Sequence, residues 1–140
     1  MLERNKVNQN KLLVFKLGGA AVLPPPVDKP LLIAPPELTG SPEQVAAGFK
    51  EYSTYCVFCH GDGAISGGVT PDLRALTPEK HAMWEAIVLG GMHWQNGMVG
   101  FGGELSQEQA ENIHHYVIER AHVALDGVEV EDVDVEGVAQ

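Results

Sequence analysis

Residues 56–60 read Cys-Val-Phe-Cys-His, and they contain the only two cysteines in a chain of 140 residues. Thiols at i and i+3 on a helical turn share a face, and the imidazole behind them is held beside that face. Few chemistries need this arrangement. A zinc site would have to recruit histidines for its other ligands, but His114 and His115 are adjacent rather than spaced roughly three to five apart. A thioredoxin-type redox pair sits in a βαβ setting, which the pattern lacks. A disulfide three residues apart closes a very short loop and stabilises little. Covalent attachment of haem fits best: each thiol adds to one vinyl group, and the histidine is left beneath the iron.

Such an iron needs a ligand on its other face, supplied from a downstream loop. The methionines are Met1, Met83, Met92 and Met98. Met1 is terminal, and Met83 falls on a predicted helix face. Met92 and Met98 both lie in the glycine-rich stretch GGMHWQNGMVGFGGEL. Met98 is preferred over Met92, because Gly97 gives it freedom and Phe101 follows to wall a pocket; His93 is a further candidate. A thioether ligand raises the potential, and two protein ligands leave no open position for substrate.

The rest of the chain reads as helices and long loops, so the fold is expected to be all-α. Ser41-Pro42-Glu43-Gln44 is a capping box with proline at the first helical position, followed by an apolar face of Val45, Gly48, Phe49 and Tyr52. Thr77-Pro78 opens a second helix with Ala82, Met83, Ala86 and Ile87 inward and Gly90 at its end. Ser106 and Gln109 cap a third, with Ala110, Ile113, Tyr116, Val117 and Ala121 inward. Aromatic residues make up only 6% of the chain, which predicts a small aliphatic core and the need for a bound group to complete it. His81, His114, His115 and His122 are read as surface residues.

Four segments are expected. Residues 1–23 hold one strand-like run, KLLVFKL, with a turn at Gly18-Gly19; Lys16 and Glu3 make a signal peptide the poorer reading. A lone strand implies a partner domain. Residues 24–40 are a proline-rich linker, 41–123 the helical domain, and 124–140 an acidic tail. A formal charge of −10 argues against nucleic acid, since phosphate binding is driven by Lys and Arg. No apolar run approaches the roughly 20 residues of a membrane span.

From Ser41 to about His122 the chain resembles a class I cytochrome c. More narrowly, YCVFCHGDGAISGGVTPDLR, GGMHWQNGMVGF and IHHYVIERA resemble the C-terminal haem domain of quinohaemoprotein alcohol dehydrogenases, which follows a β-propeller carrying pyrroloquinoline quinone (PQQ). NQNKLLVFKLGGAAVLPP resembles the last propeller strand and its connector. The resemblance implies three main helices around one covalent haem c per chain, with thioethers at Cys56 and Cys59 and iron ligation by His60 and Met98. It implies that Gly48, Tyr52 and Tyr116 lie where the first and last helices cross. It further implies that the Pro71 carbonyl orients His60, and that Arg74 contacts a haem propionate, with a solvent-facing charge as the alternative. Trp84 and Trp94 are expected to wall the haem or bond a propionate, or simply to pack.

The function implied is electron transfer rather than catalysis. Single electrons would come from the PQQ-containing dehydrogenase domain and go to a downstream redox protein or oxidase, in the periplasm, where c-type haem is attached. The rival expectation is a small-ligand sensor or peroxidase-like module in which Met98 gives way.

Overall fold

The computed structural model describes residues 14–20, 22, 33–66 and 68–126. Among these are five α-helices, α1 (Pro42–Tyr55), α2 (Val57–His60), α3 (Pro78–Ala82), α4 (Trp84–Val88) and α5 (Gln107–Asp126), with short 3-10 turns and no strand.

The long helices start where the sequence says they should. Ser41 N–H donates to Gln44 Oε1 (2.9 Å) while Gln44 N–H donates to Ser41 Oγ (3.3 Å), so the capping box of α1 is closed in both directions. Ser106 and Gln109 make the same reciprocal pair ahead of α5, at 2.9 and 3.2 Å.

α1 and α5 then cross at Gly48. A Cβ on that glycine would lie 1.9 Å from the Asn112 carbonyl oxygen, so only a residue without a side chain lets the two backbones approach this closely. Around the crossing, Tyr52 packs on Tyr116 with ring centroids 5.1 Å apart, over Ile113 and Val117. All five residues predicted inward on α5 are buried. The core is less aliphatic than the composition suggested: Tyr52, Trp84 and Tyr116 are all buried in it. A few large rings at one helix crossing supply area that many small side chains would otherwise have to provide.

The second predicted helix is corrected in two respects. It is broken at Met83 (φ −98°, ψ 13°) into α3 and α4. Its buried face is His81, Trp84, Ile87 and Val88, while Ala82 and Ala86 are exposed. Polar groups turn inward because α5 satisfies them. Trp84 Nε1–H donates to the Ala110 carbonyl (2.7 Å), and His81 Nδ1 shares a hydrogen with His114 Nε2 (2.9 Å). Trp84 stacks on the His114 ring at 4.5 Å and 10°. The expectation of surface histidines therefore fails: His81 and His115 are buried and His114 is half-buried.

At the N-terminal side, residues 33–40 run along α5. His122 Nε2–H donates to the Pro36 carbonyl (2.8 Å), and Gly40 sits so tightly on the His115 ring that a Cβ would meet it at 2.4 Å. Residues 14–17 form no strand; Val14, Phe15 and Leu17 are exposed, and nothing among the described residues pairs with them. The predicted turn is present, with Gly19 N–H donating to Lys16 O (2.9 Å) and Gly18 at φ +75°. Residues 11–13 of the predicted strand lie outside the described residues. α5 extends to Asp126, beyond the expected boundary at 123, and 127–140 also lie outside.

Candidate haem attachment site

Tyr52 leads the chain into the site. Buried at 1% exposure, its hydroxyl donates to the Gly61 carbonyl (2.7 Å), pinning the turn that follows His60 to α1. Burial pushes that phenol well above the ordinary tyrosine range, so it stays protonated and a donor.

 Desolvation is the main cause of that upward shift, and the neighbouring Cys56, Tyr116 and Asp62 add to it.

Cys56 ends α1, and the chain turns at once into α2. His60 N–H donates to the Cys56 carbonyl (2.9 Å) and Cys59 N–H to the same oxygen (3.2 Å), so both cysteines and the histidine share one helical turn. Gly61 (φ +76°) reverses the chain immediately afterwards, where a Cβ would lie 2.1 Å from the Ile65 carbonyl oxygen. Both thiols are free, with Cys56 half-buried and Cys59 exposed. Burial, with Cys59 beside it, pushes the Cys56 thiol up to about 12. Redox-active Cys-x-x-Cys pairs do the opposite, holding one thiol low as a ready thiolate.

His60 is 8% exposed and its Nδ1–H donates to the Pro71 carbonyl (3.3 Å). A carbonyl can only accept, so the proton is on Nδ1 and the Nε2 lone pair is the one available to a metal. Among the described residues no three His, Cys, Asp or Glu side chains come together as a metal cluster. One imidazole nitrogen beside two free thiols on the same turn suits a group that brings most of its own ligands, as haem does.

The glycine-rich loop after α4 packs near the same turn, through Phe101 and Tyr55. Phe101 N–H donates to Val88 O (2.8 Å) and Gly102 N–H to Leu89 O (3.2 Å), folding the loop back onto α4. Phe101 then meets Tyr55, the residue before Cys56, edge-on at 5.8 Å. Met98, Phe101, Cys56, Val57 and Leu76 all pack on the core beside buried Leu73. Met98 is half-buried there, whereas Met92 is 50% exposed. His93 Nε2 accepts from Lys80 Nζ (2.9 Å), so that imidazole is engaged elsewhere.

Three further residues carry expectations from the sequence. Arg74 forks onto Asp72, with Nε to Oδ1 at 3.0 Å and Nη2 to Oδ2 at 2.8 Å. Trp84 is committed to Ala110 and His114, and Trp94 is 69% exposed. The network that shapes the Pro71 loop, Ser66, Thr70 and Asp72, escaped the sequence reading. Its one visible signal was Asp72, placed to cap the 3-10 turn Leu73–Ala75 by accepting from Arg74 N–H.

Residues 43–117 match the family model described as cytochrome c oxidase, cbb3-type, subunit III. The chain is 46% identical over 112 residues to quinohemoprotein alcohol dehydrogenase ADH-IIG of Pseudomonas putida, covering 80% of this chain and 16% of that protein. A solved structure of that enzyme, from strain HK5, superposes with a TM-score of 0.66 at 46% identity, again over 80% of this chain and 16% of the other. Cytochrome c6 of Leptolyngbya boryana is 36% identical over 78 residues, 54% of this chain and 92% of that protein. The chain thus spans about a sixth of the alcohol dehydrogenase and nearly the whole of the small cytochrome.

Proposed function

The chain belongs to the cytochrome c family and carries covalently bound haem c, and on that premise we propose that it is the electron-carrying domain of a quinohaemoprotein alcohol dehydrogenase. The observation that carries this reading is the bond from His60 Nδ1–H to the Pro71 carbonyl, beside two free thiols on the same turn. It presents one imidazole nitrogen to a metal at the place where two covalent tethers fix a macrocycle.

In this reading Cys56 and Cys59, whose thiols are free, would hold the haem as thioethers. His60 through Nε2 and Met98 through its sulfur would be the protein's ligands to the iron. Bound there, the haem supplies a reversible Fe(III)/Fe(II) couple. Met98, packed on the core beside Phe101, excludes other ligands and water from its side. Pro71 fixes the plane and tautomer of His60, so the imidazole does not reorganise when the charge changes. Arg74 acts through Asp72 on the proximal loop, with any propionate contact added to that pairing.

The electron donor we assign is a PQQ-containing dehydrogenase domain, with residues 1–23 as the end of a preceding propeller, 24–40 as the linker, and 124–140 as an acidic tail. The acceptor is a downstream redox protein or oxidase. The compartment we assign is the periplasm, a reading supported by the covalent haem, which bacteria attach outside the cytoplasm; no helix among the described residues is long and apolar enough to cross a membrane.

Carbon monoxide binding to the reduced holoprotein tests the reading. The intact chain is expected to bind little at neutral pH, and Met98→Ala to bind readily and to lose the sulfur-to-iron band of the oxidised state. Met92→Ala is expected to leave both unchanged. If Met98→Ala keeps the wild-type spectrum while Met92→Ala loses it, the axial assignment passes to Met92. Ready binding by the intact chain would instead favour a ligand sensor.

A further inference from the structure

Between His60 and Arg74 the chain makes a loop with more internal hydrogen bonds than its length requires, and they converge on one peptide. Thr70 Oγ1–H donates to the Cys59 carbonyl (2.6 Å), one residue before His60. The next residue, Pro71, offers its carbonyl to His60 Nδ1–H at 3.3 Å. Positions 59 and 70, and then 60 and 71, are thus tied in step. The contact at His60 is at the long end of hydrogen-bond geometry and holds its place weakly by itself. The 2.6 Å contact beside it is short and sets the spacing of the two chains.

Thr70 is itself held from behind. Ser66, 4% exposed, donates its hydroxyl to the Thr70 carbonyl and lies 3.2 Å from Thr70 Oγ1. On the other flank of Pro71, the Asp72 side chain is 6% exposed and accepts from Ser66 N–H (3.3 Å), Arg74 N–H (3.0 Å) and the Arg74 guanidinium. A buried carboxylate with these partners fixes the backbone that carries it.

Resting on the assignment of His60 as an iron ligand, we propose that Thr70, braced by Ser66 and Asp72, is a positioning residue for that ligand, setting how strongly Pro71 draws on the His60 Nδ1–H bond and hence the potential of the site. A firmer bond at Nδ1 makes the imidazole a better donor and favours Fe(III); a slacker one favours Fe(II).

Spectroelectrochemical titration of the haem-loaded protein tests this with Thr70→Val, Thr70→Ser and Asp72→Asn. Thr70→Val changes no charge and little volume. It is expected to move the reduction equilibrium toward Fe(II) by about tenfold, the low end of what losing an outer partner costs a metal site, or about 59 mV for a one-electron couple. Asp72→Asn is expected to move it in the same direction, and Thr70→Ser to keep the wild-type value. An unchanged potential in Thr70→Val overturns the inference, as does a shift seen only in Asp72→Asn that high salt abolishes, since that would be a bare charge effect. A wild-type chain that keeps no haem through denaturing extraction overturns the electron-carrier reading and this inference together. Wild-type haem with an indifferent Thr70→Val overturns this inference alone.

Discussion

Adding one carbon at Gly48 is expected to unsettle the whole domain. On an exposed helix, Gly→Ala stabilises by about 1 kcal/mol through helix propensity. Here the new Cβ would stand 1.9 Å from the Asn112 oxygen, 2.4 Å from its carbonyl carbon and 3.0 Å from Ile113 N, where ordinary contact begins at 3.4 Å. All three are backbone atoms of α5, so no rotamer change relieves them. The helices have to part, and separation loosens the packing of Tyr52, Ile113 and Val117, the largest fully buried side chains. Overpacking a core costs about 1–3 kcal/mol, and a backbone clash belongs at the upper end. After the propensity gain the net is about 2 kcal/mol, or about 8–16 °C in Tm for a domain of this size. Thermal unfolding of the haem-loaded Gly48→Ala protein, followed by circular dichroism, measures it. Gly103→Ala is the control, because nothing lies within 4 Å of its new carbon. A Gly48→Ala protein as stable as wild type would refute the close-crossing argument.

The remaining predictions concern α4 and α5. His114 is held down at about 4, first by burial and then by His81 and His115. Glu111 lies 3.9 Å from it and would act the other way, but that carboxylate is 56% exposed, so solvent screens it and burial decides. The unfolded chain therefore binds more protons than the folded one between roughly pH 6.5 and 4. The neutral imidazole's contribution, on the order of 3 kcal/mol, is fully present above 6.5 and is lost as pH falls through that window. Urea midpoints across the window should show the loss, and His114→Asn should flatten it; an equally steep wild-type and variant profile would rule it out. Trp84→Phe leaves the Ala110 carbonyl without its 2.7 Å donor in the core and should cost about 1–3 kcal/mol in urea unfolding. The same variant should keep its visible spectrum, because Trp84 is committed to α5; a changed haem spectrum would place the ring at the cofactor instead.

Much of the site is local, and local chemistry is legible in a sequence. Cys56, Cys59 and His60 need only one helical turn to become neighbours, and Ser41–Gln44 and Ser106–Gln109 close their caps within four residues. The inward face of α5 follows from its period alone. What the sequence determined, then, was where the long helices begin, that Cys56, Cys59 and His60 share one turn, and that the chain is a cytochrome c domain.

Tertiary structure decided whatever depended on a partner far along the chain. His81 and Trp84 read as polar or ambiguous until α5 supplies His114 and the Ala110 carbonyl, and that supply rotates the buried face of α3 and α4 away from the alanines. Arg74 reads as a propionate contact or a solvent-facing charge until the fold buries Asp72 beside it. Met98 and Met92 share one glycine-rich stretch, and only the folding of Phe101 onto Tyr55 puts the first against the core and leaves the second half in solvent. The physical reason is the same in each case: a polar or flexible side chain is buried only when another segment satisfies it, and that segment's position is not written in the local pattern.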